Sequence, residues 1–228
     1  MKTDCPEETV NPGIQLPYED IKECYIEPLG QLARKPVYEF VKRGFDIVAS
    51  LVALLVLALP MCLVAIAVKC GSHGPALYAQ DRLGKDAKPF RVIKFRTMVA
   101  DAEKGGAQWC KKEDERITPV GRFLRRFHID ELPQLWNILV GDMSFVGPRP
   151  EREIYYDAFE EYIHGFRERL KVKPGLTGLA QVVGGSYMRP EEKILCDVRY
   201  IKERSLWFDL KILIQTAVAV LTGRHNLS

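Results

Sequence analysis

Two adjacent acidic residues, Asp130 and Glu131, can do chemistry, because carboxylates act as nucleophiles, as general bases and as ligands of hard cations. They lie in residues 127–150, a stretch that ends in a Gly- and Pro-rich loop with Arg149 between two prolines. The prolines restrict the backbone beside Arg149, so its guanidinium loses little entropy on meeting a phosphate. The stretch predicts a phosphate-handling site. A structural interpretation stays open, with Asp130 as a helix cap, Glu131 compensating the helix dipole and Arg149 solvated in a rigid turn.

The residues that follow Asp130 predict a short helix. Asp130 is a suitable N-cap, and Pro133 suits the first turn, where an N–H has no intrahelical partner to lose. Leu135 and Ile138 share one face at helical spacing, and Gly141 suits the end of the helix. The free N–H groups at the start of such a helix would attract anions.

The composition favours one catalytic domain with appendages. A chain of 228 residues, 47% of them hydrophobic, can bury one sizeable core. The net charge of +3 is unevenly distributed, since residues 1–30 carry −5 and the remainder therefore +8. A positive catalytic region indicates an anionic partner such as a nucleotide, a lipid phosphate or a membrane surface.

The cysteines show no metal-binding or disulfide pattern. They are scattered, without a Cys-x-x-Cys pair or a neighbouring His cluster, which predicts reduced, structural thiols in a cytosolic setting and no zinc site. The N-terminus lacks the basic-then-apolar pattern of a signal peptide. The six are Cys5, Cys24, Cys62, Cys70, Cys110 and Cys196.

Residues 47–68 form a run of 22 residues without a charge. As a straight helix, at about 1.5 Å per residue, this run would just span a hydrocarbon layer of about 30 Å. However, Pro60 cannot donate a helical hydrogen bond and should bend or break the helix. Basic residues flank both ends, which by the positive-inside tendency places both ends in the cytoplasm. The segment therefore predicts a re-entrant helix bent at Pro60, with an ordinary kinked span as the alternative that hydropathy alone favours.

A β-hairpin is predicted after this run, from residues 76–81 and 90–98 around a turn-rich connection. Lys94 and Arg96 are two residues apart, so they share one face of the second strand.

Four further helices are predicted. Thr118 caps the first, which carries a basic stripe that includes Arg125. Residues 151–170 read as a charged, exposed helix, and residues 189–204 as another. Residues 205–222 are too short and too polar to span a membrane, so they predict an interfacial or buried helix.

Five motifs occur in an order that is typical of one family. The chain resembles the bacterial sugar transferase family, the monotopic polyprenyl-phosphate phosphoglycosyl transferases, in its small form that consists of the catalytic domain alone. The resemblance covers residues 35–221. The motifs are KFRTM (94–98), DELPQL (130–135), GDMSFVGPRP (141–150), KPGLTGLAQV (173–182) and SLWFDLKIL (205–213).

This resemblance implies a mainly helical α+β fold. It predicts a single catalytic domain with a re-entrant, monotopic membrane helix, a short β-hairpin and interfacial amphipathic helices. Along the chain, residues 1–34 would be an N-terminal extension, residues 35–72 the membrane helix segment, and residues 73–228 a cytosolic phosphoglycosyl transferase domain.

The resemblance also implies a mechanism. Asp130 would attack the sugar-linked phosphate of a UDP-sugar, releasing UMP, and polyprenyl (undecaprenyl) phosphate would then attack the phosphosugar held on the carboxylate. Glu131 matches the Mg²⁺ ligand of the family. Asp197 and Gln181 match family positions without an assigned role. The residues expected to bind substrate phosphate are Arg149, Arg125, Lys94 and Arg96.

The chain also departs from the family pattern. Many relatives have Ser-Pro where this chain has Leu59-Pro60, so the bend depends on Pro60 alone. His128 stands where a small hydroxyl residue is common, and both a proton-handling role and an ordinary surface position stay open for it.

The expected partners are a UDP-sugar donor, a polyprenyl phosphate acceptor and membrane lipid, with no nucleic acid; a homodimer is compatible with this interpretation. The expected location is the inner membrane, with the catalytic domain on its cytoplasmic face. Two alternatives remain, an Asp-nucleophile phosphohydrolase, for which the chain lacks a DxD motif, and a non-catalytic scaffold of a glycan assembly complex.

Overall fold

A computed structural model of the chain describes residues 23–102, 114–185 and 188–222. Helices predominate and the strands are short, which confirms the predicted α+β, mainly helical class. The helices are α1 (Pro36–Gly71), α2 (Pro119–Arg126), α3 (Gln134–Val140), α4 (Glu153–Glu160), α5 (Leu179–Gly184), α6 (Pro190–Glu203) and α7 (Leu206–Thr222). The strands are β1 (Cys24–Tyr25), β2 (Leu77–Leu83), β3 (Pro89–Phe95), β4 (Ser144–Val146), β5 (Ile163–His164) and β6 (Gly175–Thr177).

Helix α1 lies along the rest of the domain for its whole length. Its inner residues recur every three or four positions, so they form one continuous stripe. Near its start Tyr38 contacts Asp209 of α7, and near its end Val68 is buried against Phe95 and Leu124. Both ends of α1 therefore contact the same folded body.

The opposite face of α1 is apolar and exposed. By length and composition, α1 is the one helix among the described residues that could cross a membrane. Large exposed apolar patches mark surfaces that meet another apolar phase, and soluble monomers rarely carry one of this extent. The exposed residues include Val37, Phe40, Val48, Val52, Leu55, Val56, Leu59, Leu63 and Ile66.

Pro60 does not break α1, because the helix continues from Pro36 to Gly71 with the proline inside it. A break was one of the two outcomes that the sequence predicted, and it is wrong. Residues on both sides of the proline pack on the domain, Leu57 near Leu135 and Ile138, and Met61 near Leu124. These contacts hold both halves of the helix, although the missing N–H costs one helical hydrogen bond. The re-entrant arrangement itself stays a prediction.

Among the described residues the strands form three two-stranded sheets, two of which join segments that are distant in sequence. Strands β2 and β3 pair antiparallel from Leu77↔Phe95 to Leu83↔Pro89, which confirms the predicted hairpin. Strands β4 and β6 pair in parallel, and so do β1 and β5.

The described part of the predicted N-terminal extension, residues 23–34, packs on the rest of the chain. Strand β1 pairs with β5, and Ile26 is buried in the core beside them. Residues 1–22 lie outside the described residues. The segment boundaries predicted for residues 1–34, 35–72 and 73–228 stay predictions.

The core contains residues that the sequence placed in an exposed helix. The prediction for residues 151–170 is wrong, since the chain there forms α4, then β5, then a 3₁₀ segment (Phe166–Lys171). On α4, Tyr155, Tyr156 and Phe159 are buried. The sequence did not indicate the apolar face of α4, because charged residues are interspersed among its aromatic residues.

Helix α7 buries two residues and exposes an apolar face. Asp209 and Ile212 are buried, and the exposed residues include Trp207, Leu210, Ile214, Val218 and Leu221. Asp209 accepts hydrogen bonds from Lys42 Nζ at 2.7 Å, Tyr38 Oη at 3.0 Å and Tyr200 Oη at 2.9 Å. These four side chains, the anchor cluster, fix α1 to α6 and α7.

Candidate active site

Asp130 and Glu131 lie in a 3₁₀ turn, Ile129–Glu131, and both are buried. Helix α3 begins three residues later at Gln134, so the prediction that Asp130 caps this helix is wrong. The turn starts at His128, which adopts a left-handed conformation with φ of 54°. Both carboxylates are therefore free of a capping role, and the structural interpretation of this pair loses its basis.

Glu131 is held by two cations. Its Oε1 accepts hydrogen bonds from Lys94 Nζ at 3.0 Å and Arg149 Nη2 at 2.5 Å, and its Oε2 accepts from Arg149 Nη1 at 3.3 Å. Burial alone would raise the pKa of Glu131, but the charges of Arg149 and Lys94 hold it well below its usual range. Glu131 is therefore ionised at neutral pH.

Asp130 has the opposite electrostatic environment. Burial, and then the adjacent charge of Glu131, raise the pKa of the Asp130 carboxyl, while Lys94, Arg125 and Arg149 counteract them. A carboxylate that is poorly stabilised in the free protein and surrounded by cations is suited to bond with an electrophilic phosphorus.

The loop that carries Arg149 is held by backbone hydrogen bonds. Gly147 N donates to Thr177 O at 2.9 Å, and Gly175 N donates to Pro148 O at 2.9 Å. A Cβ at Gly147 would lie 2.4 Å from Lys173 O, so only glycine permits this approach. The motifs at 141–150 and 173–182, which are far apart in sequence, thus form one rigid unit through β4 and β6.

Asn137 joins α3 to the hairpin. Its Oδ1 accepts from Ile93 N at 3.1 Å and its Nδ2 donates to Arg91 O at 2.7 Å, so the amide imitates a backbone partner for β3. Since β3 carries Lys94 and α3 follows Glu131, this pairing sets the spacing between these two charges.

The other predicted cations divide into two groups. Arg125 donates to Thr97 Oγ1 at 2.9 Å, and its charge acts on Asp130. Arg96 instead donates to the carbonyls of Ser72 and His73, at 2.8 and 2.9 Å, directly after α1. The structure therefore brings Lys94, Arg125 and Arg149 to the carboxylates, and it directs Arg96 towards the end of α1.

Asp197 and Gln181 do not contact the carboxylate pair. Asp197 is fully buried on α6 and forms an ion pair with Arg169 at 2.7 Å. Gln181 Nε2 donates to Leu176 O at 3.0 Å, and its buried Oε1 has no hydrogen-bond partner among the described residues.

Four charged residues behind Arg149 escaped the sequence interpretation. Glu151 forms ion pairs with Arg82 at 3.0 Å and with Lys193 at 3.4 Å, and Arg169 donates to Arg149 O at 2.9 Å. Burial would raise the pKa of Glu151, but Lys193, Arg82 and other cations lower it to about 2. Only the position of Glu151, directly after the Pro-Arg-Pro motif, gave a local signal.

The donors present suit a Mg²⁺ ion that is shared with substrate. No cluster of three or more His, Cys, Asp or Glu side chains that could hold a metal occurs within residues 23–102, 114–185 and 188–222. Mg²⁺ does not require such a cage, because it is commonly held by one or two carboxylates together with substrate phosphates and water. Glu131 fits this pattern, since its Oε2 accepts one long hydrogen bond and retains acceptor capacity.

The sequence profile described as "Bacterial sugar transferase" matches residues 37–223, more than four-fifths of the chain. The chain belongs to the bacterial sugar transferase family. The resemblance seen in the five motifs is thereby confirmed.

Individual members of this family are similar over most of the chain. A UDP-N-acetylgalactosamine-undecaprenyl-phosphate N-acetylgalactosaminephosphotransferase of Aeromonas hydrophila is 42% identical over 198 residues, 86% of this chain and 47% of that protein. UDP-glucose:undecaprenyl-phosphate glucose-1-phosphate transferases of Escherichia coli (strain K12) and Caulobacter vibrioides are 40% and 42% identical, with 87% and 86% of this chain covered. The match spans 44% of the first and 75% of the second. The chain thus spans less than half the length of two of these relatives.

Proposed function

We propose that this bacterial sugar transferase moves a sugar-1-phosphate from a UDP-sugar to polyprenyl (undecaprenyl) phosphate, as the first membrane step of glycan assembly. The observation that carries the proposal is the pair of adjacent buried carboxylates beside three cations, of which Lys94 and Arg149 bind Glu131 and Arg125 acts on Asp130. The names of the relatives support the donor and acceptor classes, since each is a phosphotransferase that acts on undecaprenyl phosphate.

The reaction proceeds in two displacements at one phosphorus. Asp130 attacks the phosphorus that carries the sugar, the bond from this phosphorus to the UMP oxygen breaks, and UMP leaves. An oxygen of polyprenyl phosphate then attacks the same phosphorus, the bond to Asp130 breaks, and polyprenyl-diphosphate-sugar is released. A covalent intermediate allows one site to serve a soluble donor and a lipid acceptor in turn.

The surrounding residues bind and orient the donor. Arg149 presents a fork of N–H donors that matches phosphate oxygens, and its loop is fixed by the β4–β6 backbone bonds. Lys94 and Arg125 place further positive charge beside Asp130, which favours its ionised form and attracts the pyrophosphate. Glu131 would hold Mg²⁺, and this ion supplies charge neutralisation for the pyrophosphate oxygens when it is bound.

The domain sits on a membrane through its exposed apolar faces. The outward faces of α1 and α7 form the apolar surface, and both ends of α1 contact the catalytic domain, which favours a re-entrant rather than a spanning helix. The basic excess outside residues 1–30 favours the anionic cytoplasmic leaflet of the inner membrane.

A donor panel tests this function. The purified protein is incubated with Mg²⁺ and individual UDP-sugars, with and without undecaprenyl phosphate, and UMP and lipid-linked product are quantified. The transferase gives steady-state UMP release only when lipid is present. Release of UMP or phosphate to the same extent without lipid would identify a phosphohydrolase, and no turnover with any donor would identify a scaffold.

A further inference from the structure

The loop Pro148–Glu151 is clamped from behind by buried charges. Arg169 and Asp197 are fully buried, and one guanidinium nitrogen, Arg169 Nη2, contacts both the Asp197 carboxylate at 2.7 Å and Arg149 O at 2.9 Å. The cation of Arg169 also stacks on the ring of Phe166, 4.9 Å from its centroid.

A second group contacts the next two residues of the loop. Arg82 Nη1 donates to Pro150 O at 3.2 Å and to Glu151 Oε2 at 3.0 Å, while Lys193 contacts Glu151 Oε1 at 3.4 Å. Three consecutive residues, 149 to 151, are thus each held by a cation, of which Arg169 and Lys193 are buried and Arg82 is partly exposed. We call Arg82, Glu151, Arg169, Lys193 and Asp197 the loop clamp.

Burying these charges is costly, and stability alone would be served as well by apolar side chains. Within the described residues, Arg169 Nε and Nη1 have no hydrogen-bond partner, which adds to the cost. Such an arrangement is useful where geometry matters more than stability. The loop clamp holds the backbone beside Arg149, and the side chain of Arg149 forms an ion pair with Glu131.

We infer that Asp197 is a positioning residue, which acts through Arg169 on the backbone of Arg149 and so fixes the guanidinium that receives the donor phosphate. This inference rests on the proposed function for its catalytic consequence. Asp197 compensates the charge of Arg169 and orients it, and Arg169 in turn donates to the Arg149 carbonyl. The rigid prolines beside Arg149 transmit this constraint to the Arg149 side chain.

A double-mutant cycle tests this chain of contacts. Asp197→Asn should lower kcat by about 10- to 100-fold, the cost of a small misplacement, with a smaller change in the KM for donor. If Asp197 acts through Arg149, then Asp197→Asn should add little to the loss caused by Arg149→Lys, because the group that it positions is already changed. Multiplying losses in the double mutant would overturn the inference.

Glu168→Gln is the matched control. Glu168 precedes Arg169 in the same segment, but its carboxylate contacts Leu29 N at 2.7 Å and Lys171 at 2.6 Å instead of the loop. This variant should keep kcat within about threefold, since the partly exposed Glu168 carboxylate lies outside the loop clamp and its neutral analogue can still accept from Leu29 N. A loss equal to that of Asp197→Asn would show a general structural effect and overturn the inference.

Amide hydrogen exchange gives a readout that needs no activity. Exchange at the amides of residues 149, 151 and 152 should be faster in Asp197→Asn than in wild type and unchanged in Glu168→Gln. If Asp197→Asn fails to fold, Arg82→Lys replaces it in both experiments, because Arg82 contacts the adjacent carbonyl and is partly exposed. Unchanged exchange in the folded variant would overturn the inference, whatever the activity of the wild type. Absence of UMP release by the wild type would refute the proposed function and would leave the exchange result to be judged by itself.

Discussion

The anchor cluster and the site around Asp130 are both built from buried charges, but they balance these charges differently. In the anchor cluster one cation, Lys42, meets one carboxylate, Asp209, and two phenols complete the hydrogen bonds. Around Asp130 three cations converge on two carboxylates. A cluster with balanced charges and mutual partners stabilises a fold, whereas a cluster with excess positive charge is arranged for an anion from outside.

The substitution with the largest expected effect on turnover replaces the proposed nucleophile. Asp130→Asn should lower turnover by at least about 10³-fold, because an amide cannot form the covalent bond to phosphorus. UMP release in the presence of undecaprenyl phosphate measures the effect, and circular dichroism checks the fold. Asp157→Asn, at an exposed position, is the control, and this variant should turn over as fast as the wild type. A folded Asp130→Asn protein with substantial activity would remove Asp130 from the nucleophile role.

Glu131→Gln should give a smaller loss, of about 10²-fold, together with a weaker dependence on Mg²⁺. The amide cannot neutralise a cation, so the Mg²⁺ concentration that gives half the maximal rate should rise by about tenfold. A Mg²⁺ titration of the initial rate measures this shift. Glu161→Gln, at an exposed position, should titrate like the unmodified protein. If the Glu131→Gln titration were also unchanged, Glu131 would not hold the metal.

Asp209→Asn breaks the anchor cluster instead and should affect stability more than chemistry. Loss of the carboxylate removes the negative charge that pairs with Lys42 and the acceptor that Lys42 and the two phenols share. The free energy of unfolding should therefore fall by about 2–3 kcal/mol. Thermal unfolding in detergent or nanodiscs measures this loss. The folded protein should keep kcat within about threefold of wild type. A large fall in kcat with normal stability would place Asp209 in the catalytic machinery.

Pro60→Leu should have the smallest effect, because contacts at both ends of α1 hold the helix on the domain. Topology is measured by labelling single cysteines in intact cells with an impermeant reagent, one introduced as Val10→Cys and one the native Cys110, with the other native cysteines replaced. Both sites should stay protected in wild type and in Pro60→Leu. Labelling of residue 10 alone in the variant would show that the proline, and not the packing, determines topology.

The sequence predicted those elements whose signals are local. Thr118 caps α2 by accepting from Gly121 N at 2.9 Å, α6 begins at Pro190, and Gly141 ends α3 with φ of 101°. Each of these signals depends only on a few neighbouring residues, so it can be recognised in the sequence without knowledge of the fold. The β2–β3 hairpin was found for the same reason.

Buried charges could not be predicted in this way. Arg169 lies in the sequence FRERLK, which reads as an exposed surface, yet it is fully buried because Asp197 on α6 pairs with it. Glu151 and Arg82 are 69 positions apart. Their burial depends on partners that only the complete fold brings close. The sequence therefore named Lys94, Arg125 and Arg149, which the structure brings to the carboxylates, and it named Asp197 without a role. The charged residues that hold the Arg149 loop were missed, namely Arg82, Glu151, Arg169 and Lys193.

The pairing of Asp46 with β4 has a consequence for where the reaction takes place. The carboxylate of Asp46, which is buried on α1, accepts from Ser144 Oγ at 3.1 Å and from Phe145 N at 3.0 Å. These two residues lie five and four positions before Arg149. In the proposed arrangement, the helix that rests in lipid is thereby coupled almost directly to the loop that binds the donor phosphate. The depth at which α1 settles in a bilayer would then set the height of Asp130 above the acyl chains, and a lipid phosphate would be met at the level where headgroups already lie.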